Sequence, residues 1–188
     1  VDAADKPPAS AIIDTHTHIV DDGAYNAYFK KAGGRVGKAL VLHFWYGFSK
    51  SGNEMEVERF ELDDLLAFTE TKDNLFLVGS VNVKENIPKQ LEKLDALFAE
   101  KKIVAIKMYP GYQHFYPSDD TISPVAELCE KHDKPLIFHS GDVFDFAGTA
   151  VLEYSHPIHV DGLAMKRPKC KIVIAHFGFP YHLETANV

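Results

Sequence analysis

The chain has 188 residues, of which 46% are hydrophobic and 12% aromatic, and a formal net charge of −7. This composition is typical of a globular domain with its own core, and the lack of clustered Lys and Arg argues against a nucleic-acid surface. No apolar stretch is long enough to cross a bilayer and two cysteines provide no disulfide framework, so we expect neither a membrane nor a nucleic-acid partner, and a cytoplasmic location.

Short apolar runs rich in β-branched residues alternate along the chain with segments of helical spacing. The polar start predicts a flexible lead-in over 1–10, followed by one domain over 11–188. The predicted strands are 11–14, 38–44, 74–81, 103–109, 135–139 and 171–177. The predicted helices lie within 54–72, 85–102, 124–134 and 159–168. This alternation predicts βαβ units and a parallel sheet that is buried on both faces.

The third of these helices has the clearest start signal. Ser123 is placed to cap it and Pro124 to open it, and the helix is expected to stop before Pro135.

Two architectures fit this alternation, an open doubly wound sheet and a (β/α)8 barrel. No glycine-rich phosphate loop follows the first strand, which weakens the dinucleotide-binding form of the open sheet. Groups that can bind metal or move a proton stand at successive strand ends, namely His16 with His18, His43, Lys107, His139 and His176. In a barrel these ends converge on one mouth, where barrel enzymes carry out their chemistry. The sequence therefore predicts an α/β fold of the (β/α)8 TIM-barrel type.

His16 and His18 close the first strand in the stretch AIIDTHTHIV, two positions apart and therefore on one face. Neutral imidazole is a good ligand for Zn and neighbouring divalent metals, and two imidazoles from one strand with a third from another make an open site. A metal there would lower the pKa of bound water to about 7. Asp14 lies on the same side, one layer deeper, where we expect it to support a ligand.

The chain also resembles the amidohydrolase superfamily, from residue 11 to about residue 182. The matching stretches are DTHTH (14–18), IKMYPGY (106–112), PLIFHSGD (135–142) and HPIHVDGLAMKRPKCKIVIAHFGFP (156–180). The sequence is most similar to the amidohydrolase-related branch, which contains hydrolases and aromatic-acid decarboxylases. The resemblance implies a distorted TIM barrel in which metal is bound by His16, His18 and His139. It implies that His176 is a further ligand or a substrate-facing acid–base group.

The resemblance also implies a metal-binding aspartate on an eighth strand, which has no counterpart in this sequence. A TIM barrel usually takes about 250 residues, so about two βα units are missing. An arc of the six predicted strands would leave two open edges. We therefore expect a cropped part of a longer barrel, or missing strands supplied by another chain, as in a homo-oligomer. A smaller closed fold is the last alternative.

Several further residues are candidates for substrate binding. In some branches of the superfamily a strand-four lysine is carboxylated and bridges two metals, but for Lys107 we expect a substrate contact or a structural ion pair. His43 either reaches the substrate or packs in the core. Tyr109 and Tyr112 follow strand four, and either line the substrate pocket or belong to an ordinary aromatic-rich loop.

Three functions are compatible with these residues. The primary hypothesis is a metal-dependent hydrolase, in which metal-activated water attacks the carbonyl of an ester, lactone or amide in a small-molecule substrate and His176 assists catalysis. The runner-up is a metal-dependent non-oxidative decarboxylase of an aromatic or unsaturated carboxylic acid. The third is a non-catalytic metal-binding fragment. Zn is the expected ion, with Mn, Fe, Co and Ni as alternatives, because imidazole ligands suit all of them.

Overall fold

The computed structural model describes residues 12–44, 60–143 and 149–188, which form one parallel sheet with helices packed against it. The strands are β1 (Ile12–Thr17), β2 (Val36–Leu42), β3 (Leu75–Ser80), β4 (Ile103–Met108), β5 (Pro135–Phe138) and β6 (Lys171–Ile174). The helices are α1 (Asp22–Ala32), α2 (Leu62–Glu70), α3 (Ile87–Ala99), α4 (Pro110–Gln113), α5 (Ser123–Lys131), α6 (Ile158–Lys166) and α7 (His182–Thr185). Each predicted strand is therefore present. The predicted lead-in and residues 54–59 of a predicted helix lie outside the described residues.

The order of the strands in the sheet follows their order in the sequence, β1-β2-β3-β4-β5-β6, and every pairing is parallel. An open doubly wound sheet reverses its strand order at a switch point, whereas the wall of a barrel does not. The order therefore confirms the α/β class and favours the barrel. Within the described residues, β1 and β6 are the strands that have a single neighbour.

The capping role predicted for Ser123 is wrong. Ser123 is itself the first residue of α5, because a 3₁₀ turn over Asp120–Ile122 runs directly into the helix, and no side chain caps its first turn. Pro124 lies in that first turn as predicted, where its missing N–H is not needed. None of the described helices combines the length and the apolar character needed to span a bilayer.

The two faces of the sheet bury different sets of side chains. The face toward the helices carries the main core, which includes Leu77, Ile106, Met108, Leu136 and Phe138 from the strands and Leu94, Phe98, Val125 and Leu163 from the helices. The opposite face carries a smaller cluster of Leu42, Val78, Ala105, Ile137 and Ala175. Alternate residues of a strand share a face, so Lys107 follows Ala105, and His139 follows Ile137. The inner face therefore turns from apolar to polar at the carboxyl ends of the strands.

Candidate active site

Imidazoles from both edges of the sheet meet at its carboxyl end. The centre of the His176 ring lies 4.7 Å from that of His16 and 4.7 Å from that of His139, and the rings of His16 and His18 are 5.6 Å apart. Neighbouring strands are about 4.8 Å apart, so β1 and β6 would be separated by about 24 Å in a flat sheet. The contact between His16 and His176 therefore means that the sheet curls until its two edges approach each other at this end.

His176 is the central ring of this group, but it does not end a strand. The prediction extended the sixth strand over 171–177, whereas β6 ends at Ile174 and His176 lies in a 3₁₀ turn over Ala175–Gly178. Its φ is 59°, in the left-handed region that costs a non-glycine residue of the order of 1 kcal/mol or more. With this backbone turn, the imidazole contacts the rings of both His16 and His139.

Hydrogen bonds to backbone carbonyls fix the tautomers of two of the histidines. His18 Nδ1 lies 3.2 Å from the carbonyl oxygen of Leu42, and His139 Nε2 lies 2.8 Å from that of Asp142. A carbonyl oxygen only accepts, so these two nitrogens must donate, and the lone pairs belong to His18 Nε2 and His139 Nδ1. Histidines that bind metal are usually held by a hydrogen bond of this kind from their other ring nitrogen.

All four imidazoles are neutral near pH 7. Burial lowers the pKa of His16 and of His139 from 6.5 to about 3, and the positive charge of Lys107 adds to the effect. Burial is also the main reason why the pKa of His18 and that of His176 lie below the ordinary value. Each ring therefore carries a lone pair that can bind a metal or accept a proton.

The loops that follow β5 and β6 are hydrogen-bonded to each other. The amide of Asp142 donates to the carbonyl oxygen of Phe179 at 2.6 Å. Gly141 donates to the carbonyl oxygen of Ser155 at 2.8 Å, and the hydroxyl of Ser155 donates to the carbonyl oxygen of Gly141 at 2.6 Å. The bond from Asp142 to Phe179 fixes the loop that begins at His139 against the loop that contains His176, and the two bonds with Ser155 close the connection after β5 on itself.

Asp14 holds the backbone of β1 in place. One of its carboxylate oxygens accepts from the amide of His16 at 3.0 Å, and the other accepts from the hydroxyl of Tyr28 on α1. Support of a metal ligand by Asp14 stays a prediction. If Asp14 supports His16, it does so by holding the backbone of His16 in place.

A cavity of about 330 Å³ opens over two of the imidazoles, those of His139 and His176, and Tyr112, Asp142 and Phe179 complete its lining. This volume is at the lower end of the range for small-molecule sites. Asp142 and Phe179 were not among the predicted site residues. Asp142 follows His139 by three positions, which is the signal in the sequence that could have found it.

Aromatic rings line the side of the site next to His139. The ring of Tyr112 packs against that of His139 at 5.0 Å, and Phe44 packs edge to face on Tyr109 at 4.7 Å and on Tyr112 at 5.8 Å. Such a wall accommodates a flat ring. Contact of Tyr112 and Tyr109 with substrate stays a prediction.

His43 and Tyr109 are fully buried and bonded to the protein. The Nε2 of His43 donates to the carbonyl oxygen of Phe60 at 2.8 Å, and the hydroxyl of Ser80 donates to its Nδ1 at 2.7 Å. The hydroxyl of Tyr109 donates to the carbonyl oxygen of His43 at 2.7 Å. These bonds favour the core role that the sequence left open for His43.

Lys107 is also fully buried, but its amine has no hydrogen-bond partner among residues 12–44, 60–143 and 149–188. Burial lowers its pKa to about 7. The structural ion pair considered from the sequence is therefore not formed within the described part of the chain.

We expect acid to destabilise the fold through its buried histidines. Burial lowers the pKa of His43 from 6.5 to about 4 in the native state, while the unfolded chain keeps the ordinary value. Between these two pH values the unfolded chain binds more protons, so the free energy of unfolding falls as the pH falls, by up to about 3 kcal/mol for this residue. Urea unfolding across this pH range measures the slope, and a stability that stays constant would contradict the expectation.

Comparison with models of protein families shows which family the chain belongs to. The sequence model described as amidohydrolase matches residues 13–186. The chain belongs to the amidohydrolase family. No curated protein sequence matches it significantly.

Solved structures similar to this amidohydrolase are barrels. An uncharacterized TIM-barrel protein from Bordetella bronchiseptica has a TM-score of 0.71 and 15% identity, over 94% of this chain and 70% of that one. A "probable 2-pyrone-4,6-dicarboxylic acid hydrolase" from Acinetobacter baumannii has a TM-score of 0.56 and 12% identity, over 88% and 58%. A 5-carboxyvanillate decarboxylase from Novosphingobium aromaticivorans, complexed with manganese, has a TM-score of 0.51 and 17% identity, over 84% and 51%.

These similarities establish the fold of the amidohydrolase chain. At such low identities they carry the barrel architecture alone, and they confirm the predicted TIM-barrel type with its six βα units. The chain spans 58% of the Acinetobacter structure and 51% of the Novosphingobium structure.

Proposed function

We propose that this amidohydrolase chain contains the metal centre of a hydrolase that attacks the carbonyl of an ester, lactone or amide in a small molecule. The proposal is carried by the meeting of His16, His139 and His176 below a cavity, with ring centres 4.7 Å apart along the group. Imidazoles that share one tetrahedral ion have ring centres about 5 Å apart, because each metal–nitrogen bond is about 2.0–2.1 Å long. The rings of two proposed ligands, His16 and His18, are 5.6 Å apart, and the 4.7 Å distances join His16 and His139 to His176.

The chemistry of the donor set also fits a divalent ion. In His18 and in His139 one ring nitrogen bonds to a backbone carbonyl oxygen. The other ring nitrogen, Nε2 of His18 and Nδ1 of His139, carries the lone pair. Over residues 12–44, 60–143 and 149–188, no three His, Cys, Asp or Glu side chains are placed to hold an ion as they stand. Metal binding therefore requires rotation of the rings, and the broad χ2 wells of histidine permit it.

In this proposal His16, His18 and His139 hold the ion. Zn is the first choice, with Mn, Fe, Co and Ni as alternatives. A divalent ion there supplies a Lewis acid that polarises the carbonyl and lowers the pKa of water to about 7.

His176 is the proposed acid–base group. It lines the cavity, contacts the rings of His16 and His139, and is neutral near pH 7 because burial lowers its pKa. A neutral imidazole takes the proton of the attacking water and returns it to the leaving group.

The aromatic wall supports a second candidate, a non-oxidative decarboxylase of an aromatic acid. Tyr112 lines the cavity next to His139, and Phe44 and Tyr109 pack behind it. In this reaction the ring carbon that carries the carboxylate takes up a proton, and the bond from that carbon to the carboxylate then breaks to release carbon dioxide.

Product analysis tests the proposal. The full chain, loaded in turn with Zn, Mn and Co, is incubated with aryl esters, lactones, amides and hydroxybenzoates. The hydrolase proposal expects new carboxylic acid from a carbonyl substrate. Carbon dioxide from an aromatic acid without any hydrolysis contradicts it in favour of the decarboxylase, and bound metal without turnover of any substrate favours the non-catalytic alternative.

Replacing His176 with glutamine separates catalysis from metal binding. We expect turnover to fall by about 10²–10⁴-fold, the usual contribution of a positioned acid–base group, while the metal content stays unchanged. The comparison of wild type and variant by metal analysis and initial rate checks this. A variant that loses its metal would instead make His176 a ligand.

A further inference from the structure

The amine of Lys107 lies at the base of the site without a partner. The side chain is 0% exposed, and its Nζ makes no hydrogen bond to any residue that the structure describes. Charged groups that are buried in proteins are almost always paired, because removing an unpaired charge from water is unfavourable. A buried amine without a partner at a functional site therefore indicates a ligand that the chain itself does not supply.

The position of Lys107 directs this amine toward the mouth of the site. Lys107 pairs with Ile137 on β5, two residues before His139, and so lies one layer deeper than His139 on the inner face. Its Nζ is 5.5 Å from the centre of the Tyr109 ring, which belongs to the next layer toward the mouth. The amine is therefore directed toward the group of imidazoles and away from the apolar layer below it.

The base of the site is electropositive. After burial, the positive charge of Lys107 is a further cause that lowers the pKa of His16, His18, His139 and His176. The lining of the described cavity includes the carboxylate of Asp142, which is exposed and accepts from the amide of Val143. A carboxylate ligand would favour the protonated form of this amine and would form short charge-assisted bonds with it.

We propose that Lys107, which lies one layer below His139 and outside the described lining of the cavity, binds a carboxylate group of a substrate that extends past His139, with Tyr112 beside the rest of a flat molecule. The inference rests on the proposed function in one respect, namely that the substrate enters this cavity. It applies equally to hydrolysis and to decarboxylation, because it concerns how the substrate is held. Lys107 is thus a residue that selects anionic substrates.

The test compares benzoate with benzamide, a neutral molecule of nearly the same shape. Both are titrated calorimetrically into the full chain without added metal, so that the outcome does not depend on the proposed metal centre. Wild type is expected to bind benzoate at least about tenfold more tightly than benzamide. Lys107→Met keeps the length of the side chain without its charge and is expected to lose this preference. Lys38→Met, the same change at an exposed lysine on β2, is expected to keep it.

Several outcomes would overturn the proposal. These are equal binding of the two probes by wild type, no binding of benzoate by wild type, or a preference that survives in Lys107→Met. Intact-protein mass spectrometry that finds one added CO2 on Lys107 would also overturn it, because the carboxylated amine is itself an anion. Lys107→Gln serves as the second variant if Lys107→Met does not fold, as judged by its thermal unfolding. Loss of metal binding with an intact benzoate preference would contradict the proposed function alone.

Discussion

Replacing His139 with alanine is expected to lower the affinity of the protein for a divalent metal at least about 100-fold. Loss of a residue that merely orients a ligand costs about 10–100-fold in affinity, so loss of the ligand itself should cost at least as much. His139 is held by its bond to the carbonyl oxygen of Asp142, which leaves its Nδ1 lone pair for the metal. Competition with a coloured chelator measures the affinity of both proteins.

The matched control for this prediction is His132→Ala. His132 follows the last residue of α5, stacks on Phe98 and bonds to Asp95, so it belongs to the helix layer and not to the mouth. Its removal should leave metal affinity unchanged. Thermal unfolding of both variants shows that they are folded. An unchanged affinity in a folded His139→Ala protein would remove His139 from the proposed metal centre.

Replacing Gly141 with alanine is expected to lower the free energy of unfolding by about 2–5 kcal/mol. A methyl group at this position would overlap the carbonyl oxygen of Phe179 and lie 2.5 Å from the carbonyl carbon of Gly178. Both are backbone atoms, so the overlap is relieved only by moving the loop. The φ of Gly141 is 79°, and strain in this region adds about 1–2 kcal/mol to an overpacking cost of about 1–3 kcal/mol.

Gly33→Ala is the matched control, because it isolates the effect of the overlap. Gly33 ends α1 with φ of 59°, and nothing lies within 4 Å of an added methyl group. We expect this change to lower the free energy of unfolding by about 1–2 kcal/mol, which is the cost of backbone strain at positive φ without any overlap. Urea unfolding of both variants measures the difference. Equal losses at the two positions would contradict the close approach of the loops that carry His139 and His176.

The strands could be predicted because their residues are apolar on both faces. Runs such as 74–81 and 103–109 are nearly continuous in Val, Ile and Leu, as a parallel sheet requires. Helix α1 was not predicted, because none of its residues is fully buried and its apolar pattern is weak. The signals that could have found it are its ends, since Asp21 caps the first turn and Gly33 closes the last.

The residues of the candidate site were easier to predict than their contacts. His16 and His18 do lie close together, although the pairing of β1 with β2 is irregular between Asp14 and Thr17 and the strand ends before His18. The parallel strands bring His139 to the same end of the sheet. The position of His176 in a left-handed turn could not be predicted, because hydrogen bonds between distant loops hold that turn. The missing partner of Lys107 is likewise a property of its packed surroundings, which the strand pattern does not contain.

The most direct test of the shared metal centre is a crystal structure of the metal-loaded full chain, with anomalous diffraction recorded at the absorption edge of the metal. We predict one ion at the carboxyl end of the sheet, about 2.0–2.2 Å from a ring nitrogen of His16, of His18 and of His139. An ion bound elsewhere, for example at the ring pair of His156 and His159 outside this group, or no ordered ion at all, would contradict the account.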